Sequence, residues 1–158
     1  MSKKHNYTAV IKWTGNKGNG TTDYKSYERS HSISVKNKAT IMASSDPAFR
    51  GDKEKHNPED LFLSSLASCH MLWYLHFCAT AGVVVLDYVD EATGIMEEEV
   101  GGKGKFTLVT LNPKVVVADL SMKEKAIKLH HKANEYCFIA NSCNFSILHK
   151  PVITVLGE

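Results

Sequence analysis

Two cysteines, one arginine and one glutamate have the residue types that thiol redox chemistry requires in this 158-residue chain. Cys69 lies in Leu66-Ala67-Ser68-Cys69-His70, inside a long apolar run, and Cys137 lies where an amphipathic pattern gives way to Phe138-Ile139-Ala140-Asn141-Ser142. A cysteine attacks as its thiolate, so an active one needs a cation nearby to lower its pKa, and the cation needs a carboxylate to hold it. Arg50, in Ala48-Phe49-Arg50-Gly51-Asp52, and Glu59, in Asn57-Pro58-Glu59-Asp60, supply those types. Each also has a plain structural reading. A free cysteine on an apolar run commonly packs as a small hydrophobe. A loop arginine is commonly a solvated charge, and a first-turn glutamate favours the helix dipole. Only their combination is informative.

The remaining candidates are weaker. Cys78 follows Cys69 by nine residues, close to the opposite side of a helix. Cys143 follows Cys137 by six, in no helical or Cys-x-x-Cys relation. Both are read as structural. His130 and His131 point about 100° apart on a helix, so they and His149 do not suit one tetrahedral centre. No metal and no cofactor are expected. Gly101-Gly102-Lys103-Gly104 lacks the strand-to-helix context and the Lys-Ser/Thr end of a phosphate loop, and is read as a hairpin turn.

The elements that must position these residues follow from periodicity. Tyr7, Ala9, Ile11 and Trp13 alternate as in a half-buried strand. A turn at Gly15 to Gly20, a strand around Ile33 and Val35, and a short one over Thr40 to Ala43 lead into a long charged loop, Ser44 to His56. At Asn57-Pro58-Glu59-Asp60 a capping side chain, a first-turn proline and two acids coincide, which starts a helix. It runs to Gly82 with apolar residues on nearly every side, so burial all round is expected. Cys69 shares a face there with Phe62, Ser65, Leu72 and Trp73. Val83 to Met96 and Phe106 to Val117, rich in β-branched residues, form a hairpin about the glycines. Ser121-Met122-Lys123-Glu124 reads as a capping box. The helix it opens repeats Met122, Ala126, Leu129 and Ala133, which places Cys137 on the inward face at its end. Pro151 to Leu156 is a last strand. The order β-β-β-α-β-β-α-β, with strands grouped, indicates an α+β fold.

Composition bounds the function. With 43% hydrophobic and 23% charged residues, residues 1–158 are read as one domain. A net charge of +2 without a basic stripe argues against a nucleic-acid partner. Residues 1–6 are polar and basic, with no apolar run that reads as a signal peptide or membrane span, so a cytoplasmic location without a membrane partner is expected. In that compartment four cysteines point to thiol chemistry rather than to a disulfide framework.

Asn57-Pro58-Glu59-Asp60-Leu61 followed by Ala67-Ser68-Cys69-His70, with Cys137 near the end of a later helix, resembles the OsmC/Ohr family of organic hydroperoxide reductases over nearly the whole chain. The resemblance implies antiparallel sheets packed around two long helices in an intertwined homodimer. It also implies an oxidoreductase of the oxidative stress response, a thiol-dependent peroxidase that reduces organic hydroperoxides to alcohols. Cys69 corresponds to the peroxidatic cysteine, Cys137 to the resolving cysteine that forms a disulfide with it, and Glu59 to the helix-start glutamate. The family's arginine falls on Arg50, as in the OsmC branch; the turn used by the Ohr branch reads Gly15-Asn16-Lys17-Gly18 here and has no arginine. Arg29 is a second candidate. Many relatives have proline after the second cysteine where this chain has Phe138, and Cys143 is an additional thiol nearby. The implied reductant is a dithiol such as a dihydrolipoyl group. The alternatives are a thiol protein without peroxidase activity on the same scaffold and a binding module whose cysteines are structural. Glu59 and Cys69 are ten residues apart on one helix, about 15 Å along its axis, so a shared site implies Glu59 supplied by a partner chain.

Overall fold

The computed structural model describes residues 3–157. Its internal contacts divide the chain into two compact units, one up to Leu61 and one from Phe62 on.

In the first unit, β1 (Val10–Trp13), β2 (His31–Ser34) and β3 (Ile41–Ala43) form an antiparallel sheet in that order. Val10 pairs with Ser34 and His31 with Ala43. The strand expected from Tyr7 therefore begins at Val10. The long loop after β3 is organised by Asp46, whose carboxylate accepts the Ala48 amide at 2.7 Å and opens a single 3-10 turn, Pro47–Phe49. Arg50 ends that turn in the left-handed region at φ 65°. A Cβ on Gly51 would lie 1.6 Å from the Ser45 carbonyl oxygen, so the tight turn beside Arg50 admits only glycine.

Helix α1 (Pro58–Thr80) starts where the sequence signals it. Asn57 Oδ1 accepts the Asp60 amide at 2.7 Å and Asp60 Oδ2 accepts the Asn57 amide at 3.2 Å, a reciprocal cap worth about 1 kcal/mol. Gly82, at φ 74°, ends it, with the Val83 amide returning to the Cys78 carbonyl at 2.9 Å. The expectation that α1 is buried all round is corrected. Its buried residues are Leu66, His70, Tyr74, Phe77 and Cys78, which recur at helical spacing on one face. Leu72 remains 63% exposed. One chain does not supply enough layers to cover every side of so apolar a helix.

The second unit continues with β4 (Val85–Asp90), β5 (Thr93–Glu98), β6 (Gly104–Leu111) and β7 (Pro113–Val117). The two long strands read from the sequence are thus each divided, at Glu91-Ala92 and at Asn112. Asn112 is the hinge: its amide donates to Asp90 Oδ1 at 2.7 Å and its side chain to the Glu91 carbonyl at 2.9 Å. On one side of the hinge β4 pairs antiparallel with β7, and on the other β5 pairs antiparallel with β6 about the glycine-rich tip. The tip glycines Gly101 and Gly102 adopt φ 105° and 83°, as a turn there requires. After α2 (Lys123–Tyr136), β8 (Ile147–His149) joins β6 and β9 (Val152–Val155) joins β7, both in parallel. The result is two mixed sheets with strand orders 4-7-9 and 5-6-8.

The expected capping box at Ser121 does not form. Asp119 takes the role instead, accepting the Ser121 amide at 2.8 Å and opening a 3-10 turn, Leu120–Met122, from which α2 continues. A carboxylate two residues earlier competes successfully for the same amide. The inward stripe of α2 is Ala126, His130 and Ala133, with Cys137 buried directly after it. Ala126 and Ala133 pack with Tyr74, Phe77 and Cys78 of α1 and with Val115, Val117 and Ile153 into one core, while Leu66, Val109 and Leu111 centre a second.

Candidate active site

Cys69 projects from α1 beside its buried stripe and is half-buried. Cys137 occupies the C-terminal cap of α2, where the backbone turns extended at φ −66°, ψ 109° and the side chain is 1% exposed. The chain then folds into another 3-10 turn, Ala140–Ser142, whose Ala140 amide donates to Cys137 Sγ at 3.4 Å. Although 68 residues separate them, the two cysteines are near neighbours: burial first, and the adjoining Cys69 thiol second, push the Cys137 thiol up to about 12. All four cysteines are free thiols. Cys143 lies half-buried with its thiol donating to the Ile139 carbonyl at 3.3 Å, and Cys78 is buried in the first core. Burial raises the pKa of both.

Aromatic rings flank the thiol pair. Trp73, one turn beyond Cys69, packs 5.5 Å from Phe138, the residue after Cys137, and 5.4 Å from Tyr136, the residue before it. Phe138 is 68% exposed, so the cluster presents an apolar surface next to the sulfurs. A small organic group could lie against it, whereas water or hydrogen peroxide would gain nothing from it.

The other two sequence candidates belong to the first unit. Arg50 is exposed and lines an open pocket of about 250 Å³ together with Glu28, Arg29, Ser44 and Asp52. Arg29 is bound up: its guanidinium lies 4.2 Å from the ring centroids of both Tyr24 and Tyr27 and donates to both of their carbonyls. Glu59 is half-buried, with Oε2 enclosed and without a hydrogen-bond partner. Among the described residues Arg50 and Glu59 form no ion pair. The structure thus joins Cys69 to Cys137 and leaves Arg50 and Glu59 unconnected to each other.

The histidines form a feature that sequence reasoning missed. His70 of α1, His130 of α2 and His149 at the end of β8 stack in the core. His70 Nε2 lies 3.0 Å from His130 Nδ1, and the His70 ring is 4.9 Å from that of His149. Tyr74 stacks on the His130 ring with the centroids 3.9 Å apart. Both His70 and His130 fall on the inward stripes of their helices, and that placement was the available signal. Burial, reinforced by the neighbouring imidazoles, lowers His70 to about 4 and His130 to about 3. Folding therefore lowers both from 6.5, and the unfolded chain binds more protons as pH falls below that value. The stability that these two neutral imidazoles contribute is present above pH 6.5 and is lost progressively down to about 3, the lower of the two folded values. The Tm should fall by roughly 10 °C between about pH 7.5 and about pH 5, and His130→Phe should flatten the profile. Equal Tm values at the two pH values in calorimetry would contradict this origin.

Comparison with known proteins places these observations in a group. The family model described as OsmC-like protein matches residues 51–150. An OsmC-like protein of unknown function from Vibrio cholerae has 31% identity and a TM-score of 0.85, over 94% of this chain and 100% of that one. An organic hydroperoxide resistance protein from Elizabethkingia anophelis, with thiocyanate bound, has 16% identity and a TM-score of 0.69, over 98% and 99% of the two chains. An organic hydroperoxide resistance protein OsmC from Legionella pneumophila has 19% identity and a TM-score of 0.65, over 96% and 100%. At those identities the last two establish likeness of fold. No curated protein matches the sequence.

Proposed function

The chain belongs to the OsmC-like protein family, and from that premise we propose that it is a thiol-dependent peroxidase reducing organic hydroperoxides to alcohols through Cys69 and Cys137. The observation that carries this reading is the meeting of the two thiols beside an exposed aromatic surface. Cys69 thiolate attacks the distal oxygen of the hydroperoxide, the alcohol leaves, and Cys69 becomes a sulfenic acid. Cys137 condenses with it to a disulfide, which an external dithiol of the dihydrolipoyl type reduces by exchange. Arg50 would pair with the Cys69 thiolate, with Glu59 orienting the guanidinium. Arg29, already held by two carbonyls and two rings, suits a structural role better. The working form would be a cytosolic homodimer in which the site draws Arg50 and Glu59 from the partner.

The test is steady-state turnover with dihydrolipoamide as reductant. Cumene hydroperoxide should be reduced about tenfold or more faster than hydrogen peroxide at equal concentration, because only the former buries an aryl group against Trp73 and Phe138. One equivalent of cumene hydroperoxide, without reductant, should leave a Cys69–Cys137 bridge in the peptide map. A dominant bridge to Cys143 or Cys78 would refute the pairing, and absence of turnover with either peroxide would refute the activity.

A further inference from the structure

A resolving cysteine must itself become a thiolate before it can attack a sulfenic acid. Cys137 is poorly placed to do so alone, being 1% exposed and carrying a thiol held protonated by burial and by Cys69. The groups acting on it are Cys69 and the amides of Ile139 and Ala140, and none of them is a base of the histidine or carboxylate kind. Those amides favour the anion: Ala140 N–H already points at Cys137 Sγ from 3.4 Å. The sulfur thus accepts from the turn on one side and has Cys69 as its other polar neighbour. That is where a hydroperoxide attacked by Cys69 would lie, and cleavage of its O–O bond there creates an alkoxide, a base far stronger than any thiolate.

We propose that Cys137 is the proton donor to the alkoxide leaving group, and that this transfer produces the thiolate which then resolves Cys69. The inference rests on the peroxidase reading above. The steps balance without a further reagent. Cys69 thiolate displaces alkoxide from the distal oxygen: a sulfur lone pair forms the S–O bond, the O–O bond breaks with its electron pair leaving on the alkoxide oxygen, and the sulfur is oxidised to sulfenic acid. The alkoxide takes the Cys137 proton, directly or through one water, and leaves as the alcohol. The Cys137 thiolate, received by the Ile139 and Ala140 amides, attacks the Cys69 sulfur, forms the S–S bond and expels hydroxide. Because Cys137 stays protonated until an alkoxide appears, the buried thiol is spared reaction with stray electrophiles between turnovers.

Leaving-group chemistry separates this role from simple resolution. The experiment measures the single-turnover rate of Cys69 oxidation, by quenched flow and peptide mapping, in the unaltered chain and in Cys137→Ala and Cys137→Ser. Each is treated with cumene hydroperoxide, whose leaving alkoxide needs a proton, and with peroxyacetic acid, whose leaving acetate does not. Cys137→Ala should slow oxidation by cumene hydroperoxide on the order of 10²-fold and leave the peracid reaction within about twofold. Cys137→Ser, which keeps a hydrogen-bond donor, should recover most of the loss. An unchanged rate with cumene hydroperoxide, or equal slowing with both oxidants, would overturn the assignment. Failure of either oxidant to modify Cys69 in the unaltered chain would overturn the peroxidase reading, and the proton donor with it.

Discussion

Cys69→Ser should lower hydroperoxide turnover by at least about 10³-fold while leaving the fold intact. A serine hydroxyl is not ionised at neutral pH and cannot be oxidised to a sulfenic acid, so neither half of the cycle can start. Cys69 is half-buried beside the packed stripe of α1, and the replacement changes one atom, so the stability loss should stay within about 1 kcal/mol. Steady-state assays with cumene hydroperoxide and dihydrolipoamide, paired with a thermal melt, make the comparison. Turnover surviving in the serine variant would move the peroxidatic role to another thiol, with Cys143 the first to examine.

A mixed dimer of Cys69→Ser and Glu59→Ala chains should recover about half of the unaltered protein's activity, whereas each variant alone should be nearly inactive. Helix α1 runs unbroken from Pro58 to Thr80. Ten residues along it separate Glu59 from Cys69 by about 15 Å, too far for one carboxylate to act at that thiol through a single arginine without help from elsewhere. The uncovered apolar side of α1, with Leu72 at 63% exposure, is consistent with a second copy covering it. If partners exchange these residues, one of the two sites in the mixed dimer carries both lesions and the other none. Mixed dimers no more active than the homodimers would show that each chain completes its own site. A monomer in sedimentation would remove the premise.

Local chemistry was legible in the sequence where its cause is local. The Asn57 start of α1, its Gly82 stop, the glycine tip between β5 and β6 and the inward placement of Cys137 all depend on neighbours within about four residues, and all are present in the structure. The same kind of reasoning failed at Ser121 because two side chains compete for one amide, and Asp119 wins by accepting it from outside the helix. It failed at Asn112 because a polar residue in a β-branched run can be a surface position or a hinge. Only the bonds to Asp90 and Glu91, more than twenty residues away, make it a hinge.

What the sequence by itself determined is the inventory and its local frame: an α+β order, a thiol on each of two helical segments, and the charged loop that carries Arg50 ahead of Glu59. Family membership is recognisable from the same motifs, because the spacing from the Asn57-Pro58-Glu59 start to Cys69 is a property of one continuous helix. Tertiary structure alone decided which of the thiols meet, that Cys137 is enclosed with the Ala140 amide at its sulfur, and that three histidines stack in the core rather than face solvent. Those outcomes depend on how α1, α2 and the bent hairpin pack. Packing is settled by the summed burial of residues far apart in the chain, so no window of neighbouring residues encodes it.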